Sequence, residues 1–359
     1  MVTNLQTELP QTEKRNSMSV ESFLQKRDAG CPVIDVRSPA EYEKGHVPGA
    51  LNLPLFSNEE RALIGTLYMK YGKEDAISRG LEIIGPKLKE FARQGLSLAD
   101  NQEVLVYCWR GGMRSSSMAW LFETVGIHAS VLAGGYKSYR HYIHDFLSYP
   151  FTFIVIGGMT GSGKTEILVE MRKLGYPVIN LEELACHKGS VFGAIGEPPQ
   201  PTPEQFENLL FESMASLNRK KPIFIEDESI SIGAVFLPRP FHKRMLECPL
   251  INLVVPYKDR ITRLVKHYAC TDKEVLIQAL KRIEKRIGRE DTQRAICLIR
   301  EGNIEEAVTI ILRYYDKVYY RTMKVSHDDE KRINLELMPT EIAEYARQVI
   351  ECAAYKNLL

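Results

Sequence analysis

Along this chain, short apolar runs alternate with stretches in which apolar residues recur every three or four positions. Runs at 32–37, 50–53, 104–107 and 129–132 read as strands. Stretches at 19–27, 58–71, 78–93, 115–125 and 136–146 read as helices. After Ser148-Tyr149-Pro150 the pattern restarts. Residues 151–156, 221–225 and 251–255 are strands, an apolar helix runs to 174, and helical stretches lie at 276–289 and 304–320. Strands alternating with helices predict parallel sheets covered on both faces. The expected fold is therefore α/β throughout. Residues 1–18 are polar and read as a disordered lead, 19–148 as one parallel-sheet domain, and 149–359 as a second α/β domain with a basic, mainly helical C-terminal region.

Two loops fall where a strand gives way to a helix. The first reads Y-C-W-R-G-G-M-R-S at 107–115. A cysteine at a strand end, facing backbone N–H groups and a helix N-terminus, lies in positive potential that holds anions and favours the thiolate. Cys108 is the candidate nucleophile, and Arg110 and Arg114 add full charges. The second loop, at 158–165, fits G-x-x-x-x-G-K-T. Gly158, Gly161, Ser162 and Gly163 would offer backbone N–H groups to phosphate oxygens, Lys164 a charge, and Thr165 a hydroxyl for Mg²⁺. The strand at 221–225 ends in Glu226, Asp227 and Glu228, acidic residues placed to hold a cation or orient a nucleophile. Thr165 and Asp227 are the candidates for a Mg²⁺; no other metal set and no tightly bound cofactor are expected. Between these elements lies L-A-C-H-K-G-S-V-F-G at 184–193, read as a substrate loop with His187, Lys188 and Ser190, followed by a second such stretch at 200–207.

Composition narrows the class. The 359 residues are 44% apolar and 26% charged, ordinary for a globular protein, and no apolar run approaches a membrane span of ~20 residues. Seven cysteines (Cys31, Cys108, Cys186, Cys248, Cys270, Cys297 and Cys352) are odd in number, and no C-x-x-C occurs. That argues against a disulfide framework or zinc site and for a reducing cytoplasm. The net charge of +1 hides an asymmetry, with 19 Lys and Arg against 11 Asp and Glu from 239 to 324. Arg260 and Arg263 recur at helical spacing, and Lys281, Arg282, Lys285 and Arg286 crowd one face of the next helical stretch. An anionic macromolecule is the expected partner. Tyr314-Tyr315-Asp316-Lys317-x-Tyr319-Tyr320 interleaves aromatics with charge, a pattern that serves base stacking or a core equally well.

The stretch D-V-R-S-P-A-E-Y-x-x-G-H-V-P-G-A-x-N-x-P at 35–54, followed by the Cys108 loop, resembles the rhodanese domain. That resemblance gives Asp35 and Arg37 a scaffold role and His46 a turn role. Small sulfurtransferases resemble C-x4-R, whereas Cys108 to Arg114 is C-x5-R, with room for a larger tetrahedral anion. The same spacing occurs in cysteine phosphatases. Joined to the P-loop at 158–165, I-E-D-E-S at 225–229 and Y-Y-D-K-x-Y at 314–319, the pattern resembles the bacterial tRNA 2-selenouridine synthase family over residues 19–325. Lys188 and Ile230 depart from it, each standing where a basic residue, Arg at the first, is expected. The resemblance implies transferase chemistry on the wobble 2-thiouridine of tRNA. Its sulfur is geranylated from geranyl diphosphate, then S-geranyl is replaced by selenium from selenophosphate, carried as a perselenide on Cys108. It implies tRNA as partner and admits a transient selenophosphate-supplying protein. The alternatives are a sulfurtransferase fused to an ATP-dependent kinase-like domain, and a Cys-dependent phosphatase.

Overall fold

The computed structural model describes residues 16–190, 192–268, 271–326, 329–338 and 340–359. Residues 1–15 of the expected lead, Val191 of the substrate loop and Cys270 lie outside the described residues. The chain divides into two compact units between Asp145 and Phe146.

The first unit is built on a five-stranded sheet, β1 (Ser17–Met18), β2 (Val33–Asp35), β3 (Leu51–Asn52), β4 (Glu103–Tyr107) and β5 (His128–Leu132), in the order β1-β5-β4-β2-β3. All pairings are parallel. The central strands β2 and β4 read as continuous apolar runs because helices cover both faces, and Ile34, Val104 and Val106 join Met118 and Phe122 of the helix Met113–Thr124 in one core. Two expectations are corrected here. Ser17 and Met18, assigned to a disordered lead, pair with Val131 and Leu132. The helix expected at 78–93 is two helices, Lys73–Ile84 and Leu88–Leu98, separated by a 3₁₀ turn at Gly85–Lys87. Pro86 has no N–H to continue the helical ladder, and it sets the break.

The second unit holds β6 (Phe153–Gly158), β7 (Val178–Ile179), β8 (Ile223–Glu226), β11 (Leu250–Val254) and β12 (Arg332–Glu336), again all parallel, in the order β12-β11-β6-β8-β7. A hairpin, β9 (Ser231–Ile232) with β10 (Val235–Phe236), follows β8. The helix Lys164–Lys173, which follows β6, and the helix Ile342–Tyr355 pack together on the sheet: Ile167, Leu168 and Met171 meet Tyr345, Ala346 and Val349. The helices Lys273–Arg282, Arg289–Glu301 and Ile304–Ser326 form a second, separate core around Leu276, Leu280, Ile296 and Ile299. The C-terminal region is thus not helical alone, since β12 completes the sheet beside β11. The amphipathic stretch at 276–289 is interrupted at Ile283 and again at Gly288, whose φ of 104° ends the short helix Glu284–Ile287.

Candidate active site

The Cys108 loop is clasped by its neighbour's backbone. The first residues of the helix Gly135–Leu147 donate N–H groups to it: Tyr136 to the Cys108 carbonyl at 2.9 Å and Lys137 to that of Trp109 at 3.0 Å. Gly135 makes this approach feasible. Its φ is +62°, and a Cβ there would lie 2.4 Å from both the Cys108 carbonyl oxygen and the Gly111 nitrogen. The Cys108 Sγ is 3.2 Å from the Ser115 Oγ, which itself donates to the Gly112 carbonyl at 3.1 Å. Arg114 forms a two-pronged ion pair with Glu41, at 2.6 and 3.3 Å. Burial works against the Glu41 charge, but Arg114 outweighs it and holds the carboxyl below its ordinary range. Glu41 also accepts from the Ser38 N–H at the start of its own helix, so one carboxylate ties the rhodanese-like motif to the loop. Arg110 is exposed. The loop floors a recess of about 570 Å³ whose far wall carries Arg61, Tyr68 and Lys73. Underneath, Arg37 is buried in a bidentate pair with Asp35, stacks over Tyr136 at 3.9 Å and donates to the Gly45 carbonyl. These two residues hold the floor and do not reach the recess. His46 stacks on Tyr42 in the turn.

The second loop joins β6 to the helix Lys164–Lys173 and is held by side chains. Lys164 Nζ donates to the Gly158 carbonyl at 2.9 Å. The Gly158 N–H donates to the Tyr319 hydroxyl at 2.8 Å, and Arg263 donates to the Gly161 carbonyl at 2.8 Å. Arg260 donates to the Thr160 carbonyl and is locked to Asp316 by two bonds of 2.8 Å. Gly161, at φ +82°, lies so close to Arg260 that a Cβ would meet its carbonyl at 3.0 Å. Ser162 is buried, with an Oγ that has no hydrogen-bond partner.

The acidic wall extends beyond the sequence reading. Thr165 Oγ1 donates at 2.6 Å to Glu182, a residue that reading passed over because it falls in an unremarked L-E-E-L run. Glu182 crowds Glu226 and Glu228. Burial, then Glu182, raises the Glu226 carboxyl well above its ordinary range, and Glu226 Oε2 has no hydrogen-bond partner. Glu228 keeps some exposure, but burial and the same neighbour push it up to about 8. Together with Asp227, Glu182 and Glu228 line a recess of about 750 Å³ above Lys164 and Thr165. Among the described residues no group of three or more His, Cys, Asp or Glu is arranged as a metal site.

The remaining expected site residues separate. Lys188, Ser190 and Arg286 lie on the recess wall, with Lys188 bonded to Glu197 and His267. His187 is not on that wall. Its ring packs under Gly193 with Nδ1 buried and without a partner, because Cys186 adopts a left-handed conformation and turns the chain there. Arg260 is corrected from an RNA contact to a buried strut, because Asp316 takes both of its terminal nitrogens. Arg263 braces the loop. Lys281, Arg282 and Lys285 are exposed. The tyrosine-rich stretch belongs to the recess, with Tyr314, Tyr315 and Tyr319 on its wall.

The fold and its two anion loops define a rhodanese-like domain joined to a P-loop domain. Family models agree: a rhodanese-like domain matches residues 19–142, and the tRNA 2-selenouridine synthase AAA domain matches 151–353. The chain belongs to the tRNA 2-selenouridine synthase family. A relative of that name from Pseudomonas fluorescens is 32% identical over 355 residues, 88% of this chain and 94% of the relative. Another, from Nitrosomonas eutropha, is 38% identical over 248 residues, 67% of this chain. That match spans 63% of the Nitrosomonas relative's length, under two thirds. Among the described residues no helix is long and apolar enough to cross a membrane.

Proposed function

We propose that this protein converts the wobble 2-thiouridine of tRNA to 2-selenouridine in two steps, with the P-loop serving geranyl diphosphate and the Cys108 loop serving selenophosphate. One observation carries the assignment of the P-loop. Its recess of about 750 Å³ is polar at Lys164 and Thr165 and has an apolar side at Leu264, Tyr268 and Tyr315, where it adjoins a small apolar cavity of about 30 Å³. A phosphate cradle with an apolar side wall suits a substrate with a charged head and a hydrocarbon tail, the tail lying along that wall of the recess and not in the small cavity.

In the first step the thiouridine sulfur attacks C1 of the geranyl group. The C–O bond breaks and diphosphate leaves with the electron pair. Lys164 and the loop N–H groups stabilise that charge. The oxygens of Thr165, Glu182 and Glu228 are of the kind a hard cation takes, and the Glu226 and Glu228 carboxyls, raised by burial and by the neighbouring Glu182, are short of compensating positive charge. A Mg²⁺ held there would supply neutralisation of the diphosphate.

In the second step electron balance fixes the role of Cys108. Attack of its thiolate on selenium would leave phosphorus reduced by two electrons, with no oxidant to restore phosphate, so the perselenide route is set aside. The selenium of selenophosphate instead attacks C2 of the base, and geranylthiolate departs. Cys108 then attacks phosphorus, the P–Se bond breaks with its pair on selenium, and water hydrolyses the resulting phosphocysteine. Ser115, 3.2 Å from Sγ, is placed to hydrogen-bond the sulfur as it leaves.

The test is mass spectrometry of a purified 2-thiouridine tRNA incubated with geranyl diphosphate and selenophosphate. Cys108→Ala should stop at a geranylated or Se-phosphorylated base, and Lys164→Ala should leave 2-thiouridine. Unchanged tRNA with the wild type would defeat the proposal. Prenylation surviving in Lys164→Ala would defeat the P-loop assignment.

A further inference from the structure

The recess over Cys108 is larger than its anion requires. Its volume of about 570 Å³ falls in the range of pockets that enclose drug-sized ligands, whereas a water takes about 30 Å³. The extra wall comes from the helices Asn58–Tyr71 and Lys73–Ile84, which meet at Gly72 and bring Tyr68 and Lys73 to the recess. Tyr68 is 55% exposed, and Trp109 lines the same recess. The cations are not equivalent. Arg114 and Arg61 face Glu41, at 2.6 and 3.7 Å, whereas Lys73 and Arg110 have no ion pair among the described residues. Among the described residues no carboxylate lines the recess.

An exposed tyrosine ring and a half-buried tryptophan beside unpaired cations, over a nucleophile, are the lining that takes an unpaired nucleotide: bases stack on rings and phosphates meet the charges. We propose that the base undergoing selenium transfer stacks on Tyr68 beside Trp109, with Lys73 and Arg110 taking the adjoining phosphates of a single-stranded RNA segment. This rests on the tRNA reading above and locates the base within it. Tyr68 is a binding residue that the rhodanese-like pattern does not mark.

The experiment alkylates Cys108 of the full chain with iodoacetamide and reads the Cys108 peptide by mass spectrometry. The protectants are inorganic phosphate and a short single-stranded RNA carrying 2-thiouridine. Both should protect the wild type. In Tyr68→Ala the RNA concentration for half-protection should rise about tenfold, the scale of one lost base–aromatic stack, with phosphate protection unchanged. Tyr68→Phe keeps the ring and should match the wild type. Equal RNA protection in Tyr68→Ala and wild type overturns the proposal. So does lost phosphate protection in Tyr68→Ala, which would make Tyr68 part of the anion cradle, and so does lost RNA protection in Tyr68→Phe. If RNA fails to protect the wild type while tRNA is still converted to selenouridine, the base site is wrong and the family chemistry stands. If neither occurs, both fall.

Discussion

Both anion loops follow a buried parallel strand, yet they are held in opposite ways. The Cys108 loop is clasped from outside by the N–H groups of Tyr136 and Lys137, and among the described residues no carboxylate lines its recess. The P-loop is braced by the side chains of Tyr319, Arg260 and Arg263, and it faces Glu182, Glu226 and Glu228. In the first cradle Glu41 holds Arg114 and Arg61, and Lys73 and Arg110 keep their charge without an ion pair among the described residues. The second has acid to spare and suits a more highly charged diphosphate accompanied by a cation.

The largest effect separates the two cradles by supplying the intermediate. On 2-thiouridine tRNA, Cys108→Ala and Lys164→Ala should each lower selenouridine formation by roughly a thousandfold or more, the scale for removing a residue that acts on the reacting atoms. On tRNA geranylated beforehand, Lys164→Ala should return to near the wild-type rate and Cys108→Ala should not. Mass spectrometric time courses on both substrates read this directly. Equal defects of both variants on the geranylated tRNA would collapse the division of labour.

Next in size is a stability difference between the struts. Asp316→Ala strands the buried Arg260 guanidinium and should cost about 3–5 kcal/mol in urea denaturation. Glu41→Ala in the first unit removes a more exposed pair and should cost about 1 kcal/mol. A loss at Asp316 no larger than that at Glu41 would mean that Arg260 finds water or another acceptor.

The contrast also explains what the sequence disclosed. Both loops were legible because each compresses strand, turn glycines, charge and helix into about nine contiguous residues, a local arrangement with a local cause. Glu182 was not, because its importance comes from a fold that sets it against Thr165, 17 positions away. The same holds for Arg260, whose partner Asp316 is 56 positions on; helical spacing shows a basic face but not which member is buried. Tyr68 and Lys73 look like surface residues of two helices until the fold brings them to the recess with Cys108. β12 escaped notice because R-I-N-L-E is only partly buried at the sheet edge and lacks a continuous apolar run.

A smaller, pH-dependent effect should belong to the second unit. Burial and Glu182 hold the Glu228 carboxyl at about 8, against an ordinary value of 4.5. Between those values the folded protein keeps a proton that the unfolded chain has lost. Stability should therefore fall as pH rises across that window. Glu228→Gln should flatten the decline. Urea midpoints across the window, wild type against variant, provide the check; parallel curves would show that Glu228 is ionised throughout.

The finest distinction concerns where RNA phosphates lie. Lys281, Arg282 and Lys285 are exposed on adjoining short helices, whereas Arg260 is buried and committed to Asp316. If the basic surface of the second unit carries tRNA, replacing each exposed residue by Ala should reduce the slope of log affinity against log salt by about 1. Affinity for different tRNA sequences should fall uniformly, because phosphate contacts hold no base information. Lys73→Ala and Arg110→Ala in the first unit should reduce the slope similarly, but they should also slow selenium transfer at saturating tRNA, because they adjoin Cys108. Filter binding over a salt series, beside single-turnover rates, separates the two surfaces. An unchanged slope in the Lys281, Arg282 and Lys285 variants would leave the tRNA phosphates to the Cys108 recess and make the charge of the second unit a solvated helix face.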